Sequence, residues 1–220
     1  MKTLKLQSSV EEQLYLSHFI GGEQGGYTLS AVHFAPDFSS VATDGHVLCR
    51  MERSWTYDLP ALKEPTDEEK IPAEGLAIYV DAMTIKQLKW LSCLAPLRIE
   101  VDMNTEDTTA PYEHSEVRIT SDSNPALLVK THLVDPRYFP DWKRAYDDTM
   151  RHGESDFTCG RIALDPDLLN KFTGWSKLTK QKSKDFVQIS CYDKEAPVQI
   201  KVSSNDRITG LLMPVRVEYV

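Results

Sequence analysis

Residues 41–51, VATDGHVLCRM, form the stretch that decides the predicted fold. Apolar residues alternate on both sides of Asp44-Gly45, a dipeptide that often forms the two-residue turn of a β-hairpin. The pattern predicts two antiparallel strands joined at this turn. A hairpin alone does not require Thr43 before the turn or His46 after it, so the stretch is also a candidate part of a binding site.

The composition is that of an ordinary globular protein. Of the 220 residues, 41% are hydrophobic and 26% are charged, and the length allows one large domain or two smaller ones. No apolar run approaches the length of a membrane helix, and Glu11 and Glu12 interrupt the N-terminal segment, which argues against a signal peptide. The formal net charge is −8, so contact with nucleic acid would require positive charge to be segregated on one face.

The four cysteines, Cys49, Cys93, Cys159 and Cys191, are far apart in the sequence. They include no Cys-x-x-Cys pair, which argues against structural zinc. We therefore expect isolated buried thiols in a reducing cytoplasm, with no bound metal and no cofactor.

One arrangement recurs three times: a short strand, a capped amphipathic helix and further strands. The predicted strands lie at about residues 3–6, 28–34 and 40–51 in the first unit, at 76–80, 97–103, 116–120 and 126–134 in the second, and at 161–164, 186–190, 198–202 and 210–217 in the third. The predicted helix caps are Ser8 or Ser9, Asp81 and Asp165, and the first two helices are expected to end at Gly21-Gly22 and at Pro96.

Polar connectors separate these elements. Residues 58–75 are rich in Pro, Glu and Asp, residues 104–115 form a polar loop, and residues 147–155 are a predicted boundary between the second and third units. The predicted class is α+β, with antiparallel sheets and helices on one face.

Three segments resemble the beta subunit of bacterial DNA polymerase III, the replication sliding clamp. SSVATDGHVLCRM (residues 39–51) is similar to that family's Thr-Asp-Gly-His-Arg-Leu segment. KTHLVDPRYFPDWKRA (130–145) is similar to its segment ending in Phe-Pro-Asp-Tyr-Arg-Arg, and GLLMPVRV (210–217) to its C-terminal Val-Met-Pro-Met-Arg-Leu. The three segments occur in the family's order, with compatible repeat units between them.

The resemblance implies a DNA-clamp fold built from repeated strand-helix-strand-strand-strand units. Residues 1–146 resemble a whole clamp domain of two units, like the middle domain of the bacterial clamp. Residues 147–220 resemble the second half of its last domain. Counterparts of the first domain, and of the first half of the last domain, are not recognised in this sequence.

The resemblance also implies a pocket for short peptides, at which polymerases, the clamp loader and repair proteins dock. Aliphatic residues and an adaptable methionine would form the cleft, with His46, Arg144 and Arg216 at its rim. Val47, Ala145 and Val215 stand where the family has Arg, Val and Met. The implied pocket residues are Leu29, Thr43, Gly45, His46, Leu48, Pro140, Arg144, Ala145, Leu211, Met213, Pro214, Val215 and Arg216.

The family's clamps are rings that surround duplex DNA and bind it without sequence readout. The resemblance therefore implies a homo-oligomer that presents positive charge on its helices to double-stranded DNA. Lysines are concentrated on the second and third predicted helices and on the segment that follows them. The implied DNA-contacting residues are Lys86, Lys89, Lys171, Lys177, Lys180, Lys182 and Lys184.

The function implied by the resemblance is that of a non-enzymatic processivity factor, which tethers DNA polymerase, the clamp loader or repair proteins to DNA. The sequence has no Gly-x-x-x-x-Gly-Lys loop, no Gly-x-Ser-x-Gly elbow, and no metal-ligand spacing among His114, His132 and His152. One alternative is an adaptor or decoy that binds clamp-binding peptides, or a clamp, without encircling DNA. A purely structural domain is a further alternative.

Overall fold

The computed structural model describes residues 2–24, 26–59, 64–67, 69–91, 96–103, 112, 115–122, 124, 126–152, 162–181, 185–191 and 196–214. Its strands are β1 (Lys2–Ser9), β2 (Glu23–Gln24), β3 (Tyr27–Thr28), β4 (Ala31–Phe34), β5 (Ser40–Thr43), β6 (Val47–Met51), β7 (Thr56–Tyr57), β8 (Leu76–Tyr79), β9 (Pro96–Met103), β10 (Glu116–Ser121), β11 (Val129–Thr131), β12 (Leu133–Val134), β13 (Val187–Ser190), β14 (Val198–Val202) and β15 (Asn205–Leu212). Its α-helices are α1 (Val10–Leu16), α2 (Ala82–Leu88), α3 (Trp142–His152), α4 (Pro166–Asn170) and α5 (Trp175–Leu178), and 3₁₀ turns occupy Pro136–Tyr138 and Lys171–Gly174.

Two antiparallel sheets carry the architecture, which confirms the predicted α+β class. A five-stranded sheet has the order β11-β10-β9-β1-β7, and an eight-stranded sheet has the order β12-β8-β4-β5-β6-β15-β14-β13. The strands β2 and β3 form a separate small hairpin.

The first two sequence units exchange their leading strands. β1, from the first unit, pairs along its whole length with β9 of the second unit, from Lys2 opposite Met103 to Ser9 opposite Pro96. β8, which opens the second unit, pairs with β4 of the first unit on one side and with β12 of its own unit on the other. Neither unit can therefore complete its own sheet, and the two must fold together.

The third unit joins the eight-stranded sheet through β15. This strand pairs antiparallel with β6, in a register that places Leu211 opposite Leu48 and Gly210 opposite Cys49. The sheet is therefore continuous between residues on either side of the predicted boundary at 146/147. That division into two domains stays a prediction.

The main apolar core joins the inner faces of both sheets to α1, α2 and the helical segment of the third unit. Leu4 and Leu6 of β1, Cys49 and Met51 of β6, and Phe172 are all fully buried in it. Aromatic rings link α1 to the third unit, because the Phe19 and Phe172 ring centres lie 4.8 Å apart. The Tyr15 hydroxyl donates a hydrogen bond to the Phe172 carbonyl at 3.1 Å.

The outer face of the five-stranded sheet is charged. Arg118 contacts Asp102 at 2.7 Å, and Lys130 contacts Glu116 at 2.9 Å across neighbouring strands. Such exposed pairs contribute little to stability individually, but they keep this face solvated and unsuited to apolar partners. Strand alternation produces this split between an apolar inner face and a polar outer face.

The predicted helix caps are confirmed. Ser9, Asp81 and Asp165 are the N-caps of α1, α2 and α4, and each side chain accepts a hydrogen bond from a backbone N–H of the first turn. The first two helices end earlier than expected. α1 ends at Leu16 rather than at Gly21-Gly22, and α2 ends at Leu88 rather than at Pro96. Pro96 begins β9 instead of ending the helix.

Two further predictions differ from the structure. Residues 162–164, within the strand predicted at 161–164, are not in a strand, and no described strand pairs with them; Ile162 and Leu164 instead pack beside the core. The predicted connector at 147–155 is helical up to His152, because α3 continues through it. The amphipathic pattern of Trp142 and Tyr146, which face the sheet, carries the helix past the expected boundary.

Cys49 and Cys191 are buried, as predicted. Cys93 and Cys159 lie outside the described residues, as does most of the connector at 104–115. No helix in the described part of the chain is long and apolar enough to cross a membrane.

Replacing Gly210 by alanine should destabilise the protein, because the added Cβ would lie 2.1 Å from Cε1 and 2.2 Å from Cζ of the buried Phe172 ring. Such overpacking typically costs about 1–3 kcal/mol. Urea unfolding of Gly210→Ala measures the loss. Gly22→Ala is the matched control, since a Cβ there meets no atom within 4 Å. Equal stability of the two variants would contradict this packing.

An ion pair fastens the third unit to the turn between β5 and β6. Lys171 Nζ lies 2.6 Å from Asp44 Oδ2, and both side chains are mostly buried. Burial by itself would raise the pKa of Asp44, but Lys171 and the backbone N–H groups of Val47 and His46 bind the carboxylate and hold its pKa below the usual 3.8. The carboxylate is therefore stabilised in the folded state relative to the unfolded chain.

Asp44→Asn should lower the free energy of unfolding at pH 7 by about 1 kcal/mol, while Asn keeps an acceptor oxygen for the turn. Because the folded pKa is depressed, the contribution is present above about pH 4 and is lost as the pH falls through the folded value. The stabilities of wild type and variant should therefore approach each other in urea unfolding as the pH is lowered below 4 and through the folded pKa. Asp67→Asn, at a carboxylate that is 96% exposed, is the control. A pH-independent difference would contradict the assignment.

Candidate functional site

The turn at Asp44-Gly45 is fixed by its own side chains. Asp44 Oδ1 accepts hydrogen bonds from the backbone N–H groups of His46 and Val47, both at 2.9 Å. The Thr43 hydroxyl donates to the Val47 carbonyl at 2.8 Å and accepts from the Gly45 N–H at 3.1 Å. Gly45 has φ of 91°, a conformation that glycine adopts without strain. Thr43 therefore shapes the hairpin, and His46 is left exposed beside it.

The pairing of β6 with β15 places two predicted pocket segments side by side. Leu48 lies opposite Leu211, and the Met213 N–H donates to the His46 carbonyl at 3.0 Å. The Met213 side chain is 44% exposed at the end of the strand, where Pro214 follows. Val47 faces the main core instead, so the residue that replaces the family's arginine does not line this surface.

Leu29 approaches the same turn from the other side. A Cβ on Gly21 would lie 3.0 Å from Asp44 Cα and 3.3 Å from Leu29 Cβ. The Gly21 backbone therefore packs closely against both Asp44 and Leu29. The Gly21 N–H also donates to the Leu29 carbonyl at 3.0 Å. Leu29 is buried there.

The third segment covers the outer face of the eight-stranded sheet. Leu48 and Leu211 form a second apolar cluster with Phe139 and Trp142, which is separate from the main core. Arg50 reinforces this contact, because its guanidinium lies 4.9 Å from the centre of the Tyr146 ring. Pro140, Arg144 and Ala145 are thereby carried on the segment that packs over β6 and β15.

The predicted pocket residues come from distant stretches, of which β6 and β15 are paired, while the segment that carries Pro140 joins their apolar cluster through Phe139 and Trp142. Leu29, Thr43, Leu48 and Leu211 are buried, Pro140 and Pro214 are half-buried, and Gly45, His46, Arg144, Ala145 and Met213 are exposed. Val215 and Arg216 lie outside the described residues. Phe139, Trp142 and Tyr146 are contacts that sequence reasoning missed. The four-residue spacing of Trp142 and Tyr146 is the signal of a buried helix face, whereas Phe139 precedes the helix.

A cavity of about 540 Å³ lies between the start of α3 and the end of β4, and among the described residues of the predicted pocket Pro140 is the one that lines it. His33 stacks on Phe139 there, with ring centres 5.2 Å apart, and its Nε2 donates to the Glu74 carbonyl at 2.8 Å. Burial lowers the pKa of His33, which favours the neutral ring. The neutral imidazole helps to fix Phe139, and so the segment that carries Pro140.

The described lysines among those predicted to contact DNA lie on or next to the helices that pack against the main core. Lys86 and Lys89 are exposed on α2 and at its end, and Lys177 and Lys180 are exposed on α5 and just after it. Lys171 differs, since its ammonium is bound to Asp44. Lys182 and Lys184 lie outside the described residues.

The lysines of α2 and of the third unit come close together around His18. Burial, and then the charges of Lys89 and Lys171, lower the pKa of this imidazole. Two ammonium groups from segments about 80 residues apart therefore act on one ring. Among the described residues, no group of three or more His, Cys, Asp or Glu side chains is arranged to hold a metal ion.

No protein-family model matches the chain, and no curated protein matches it by sequence. Its similarity to solved structures is extensive. The beta subunit of Caulobacter crescentus DNA polymerase III superposes with a TM-score of 0.57 and 15% identity, covering 98% of this chain and 67% of the other. The sliding clamp of Bartonella birtlesii, solved with griselimycin bound, gives 0.56 and 19%, covering 97% and 66%. The clamp of Pseudomonas aeruginosa gives 0.53 and 14%, with 97% and 66%.

These identities are too low to carry functional residues across, but the superpositions extend over nearly the whole chain. The chain spans about two thirds of the length of the clamps that it matches. Two antiparallel sheets, with helices on their core side and a sheet continuous through β6 and β15, are consistent with those superpositions. The protein therefore has the fold of the bacterial beta sliding clamps.

Proposed function

We propose that the protein is a sliding-clamp-like processivity factor that tethers replication or repair proteins to DNA through a peptide-binding cleft. The observation that carries the proposal is the convergence of the Thr43–Leu48 hairpin, the Pro140–Ala145 segment and the Leu211–Pro214 strand end. These segments are far apart in sequence, and no single local element requires them to meet. The role is a binding role without chemistry on the partner.

The cleft would bind a peptide through apolar anchors. Leu48 and Leu211 supply its floor, and the exposed Met213 side chain can adapt to an aliphatic or aromatic anchor. His46 and Arg144 supply polar contacts at the rim. The backbone N–H of Arg144 donates to Asp141 at 3.2 Å, which fixes the first turn of α3 that carries this residue. Binding of a few anchors in such a cleft usually carries most of the affinity.

The proposed partners are DNA polymerase, a clamp loader or repair proteins that carry a clamp-binding motif. Duplex DNA would pass the lysine-bearing helices without sequence readout, on the opposite side of the eight-stranded sheet from the cleft. This role places the protein in the cytoplasm, where chromosomal DNA is replicated.

A homo-oligomeric ring is part of the proposal, and β13 offers an edge for it. Among the described strands, β13 pairs with β14 alone, and Ile189 is exposed on it. An exposed apolar edge with unpaired backbone groups is suited to strand pairing with another chain. The alternative is an adaptor that binds clamp-binding peptides or a clamp without surrounding DNA.

A fluorescent peptide with Leu and Phe anchors should bind with a micromolar Kd, or about −8 kcal/mol. The double variant His46→Ala, Met213→Ala should weaken this binding at least tenfold, because it removes exposed cleft groups without disturbing the buried floor. Fluorescence anisotropy measures both affinities.

The matched control for the peptide experiment is His132→Ala, Met83→Ala, which removes an exposed histidine and an exposed methionine away from the cleft. This variant should bind the peptide as the wild type does. If all three proteins bind equally, the assignment of the cleft fails.

Light scattering at several protein concentrations should give a mass that is a multiple of the monomer, and the protein should be retained on nicked circular DNA but lost when the circle is cut. The reason is that a closed ring holds DNA topologically rather than by affinity. A monomer at every concentration, without retention, would reject the ring and leave the adaptor role in place.

A further inference from the structure

Trp90 is exposed, in contrast to every other tryptophan in the chain. Its relative exposure is 59%, whereas Trp55, Trp142 and Trp175 are exposed by 8% or less. Tryptophan is among the largest apolar side chains, and a protein gains stability by covering it. An indole left in solvent at the end of α2 is therefore a candidate contact for a ligand.

The position of Trp90 is fixed, although its ring is exposed. Its backbone N–H donates to the Gln87 carbonyl at 3.0 Å, and the neighbouring Leu88 and Leu91 are buried in the main core. Met83, two turns earlier on the same helix face, is also exposed. The helix end is thus anchored by its leucines, and it presents the indole to solvent on an ordered support.

The surroundings of Trp90 are basic. Lys86 Nζ lies 5.7 Å from the centre of the Trp90 ring, and Lys89 is the residue before it. Within the described part of the chain, neither lysine has an ion-pair partner. Lys89 also acts electrostatically on His18, together with Lys171, whose own ammonium is paired with Asp44.

An aromatic face next to unpaired ammonium groups suits a ligand that is both polyanionic and aromatic. Duplex DNA offers the phosphates but keeps its base faces stacked inside the helix. Single-stranded DNA offers both, and base-on-aromatic stacking beside a positively charged track is the usual way in which proteins bind it without sequence preference. An apolar protein partner would not account for the lysines on the same face.

We propose that Trp90 and Lys86 form a stacking platform for unpaired bases, so that this face binds single-stranded DNA as well as duplex. The inference rests on the proposed nucleic-acid role of the lysine-bearing helices and adds a second class of ligand to it. In this arrangement Trp90 stacks on a base while Lys86 and Lys89 contact the flanking phosphates.

The test is a fluorescence titration of the full chain with an oligothymidylate about 20 nucleotides long, a length that exceeds the span of one small binding site. Because Trp90 is the exposed tryptophan, its emission should be quenched as the oligonucleotide binds. Trp90→Ala should weaken oligothymidylate binding roughly 5- to 100-fold, measured with a labelled oligonucleotide. Trp90→Phe should retain part of the affinity, and Lys86→Gln should reduce the salt slope by about 0.7.

Tyr138→Ala is the matched control, since it removes another exposed aromatic side chain, which is 55% exposed and distant from α2 in sequence. It should leave oligothymidylate binding unchanged. Thermal unfolding of each variant should match the wild type, because the Trp90 ring is largely exposed in the folded state. A labelled duplex of the same length, titrated in parallel, separates this inference from the broader DNA role.

Three outcomes would overturn the inference. If duplex binds but oligothymidylate neither quenches Trp90 nor loses affinity in Trp90→Ala, the stacking platform fails and the duplex role stands. If neither nucleic acid binds, the DNA role of this face fails as well, while the peptide cleft is unaffected. If Trp90→Ala instead abolishes self-association, the patch is an interface between copies of the chain.

Discussion

The pairing of β6 with β15 is the interaction on which the rest of the structure depends. It joins residues 47–51 to residues 208–212, and it makes one eight-stranded sheet from parts of the chain separated by about 160 residues. The strands on both sides of this seam bury apolar residues on both faces. Losing the seam would therefore expose the main core on one side and the Leu48–Leu211 cluster on the other.

Packing around the seam explains residues that look unremarkable alone. Gly210 leaves room for the Phe172 ring against β15. The Phe172 ring in turn contacts the ring of Phe19, which follows α1 in the chain. The Lys171–Asp44 pair ties the same helical segment to the β5–β6 turn. Exchange of β1 and β8 between the first two units adds a second long-range constraint, because neither unit closes its sheet without the other. Contacts between units thus add to the strand pairing within each unit in holding the molecule together.

The acidic chain keeps its charges on different surfaces. The outer face of the five-stranded sheet carries compensated ion pairs, whereas Lys86 and Lys89 stand on α2 without acidic partners among the described residues. Leu48 and Leu211, at which we propose a cleft, belong to an apolar cluster that is separate from the main core contacted by the helices. A net charge of −8 is therefore compatible with a basic face, since the local field is set by the nearest groups.

The sequence by itself determined the local elements: the Asp44-Gly45 turn, the three N-caps, most strands and the α+β class, because alternation, capping and turn chemistry act over a few residues. Helix ends were less well determined, since Leu88 and Leu91 are placed by the core rather than by a terminating residue. The sequence also marked candidate cleft residues, but by resemblance and not by geometry. Only the tertiary structure decided the exchange of leading strands, the helix that continues to His152, the missing strand at 162–164 and the apolar cluster that contains Leu48 and Trp142. These features depend on which segments meet across long sequence separations, and the hydrophobic pattern of one segment does not specify its partner.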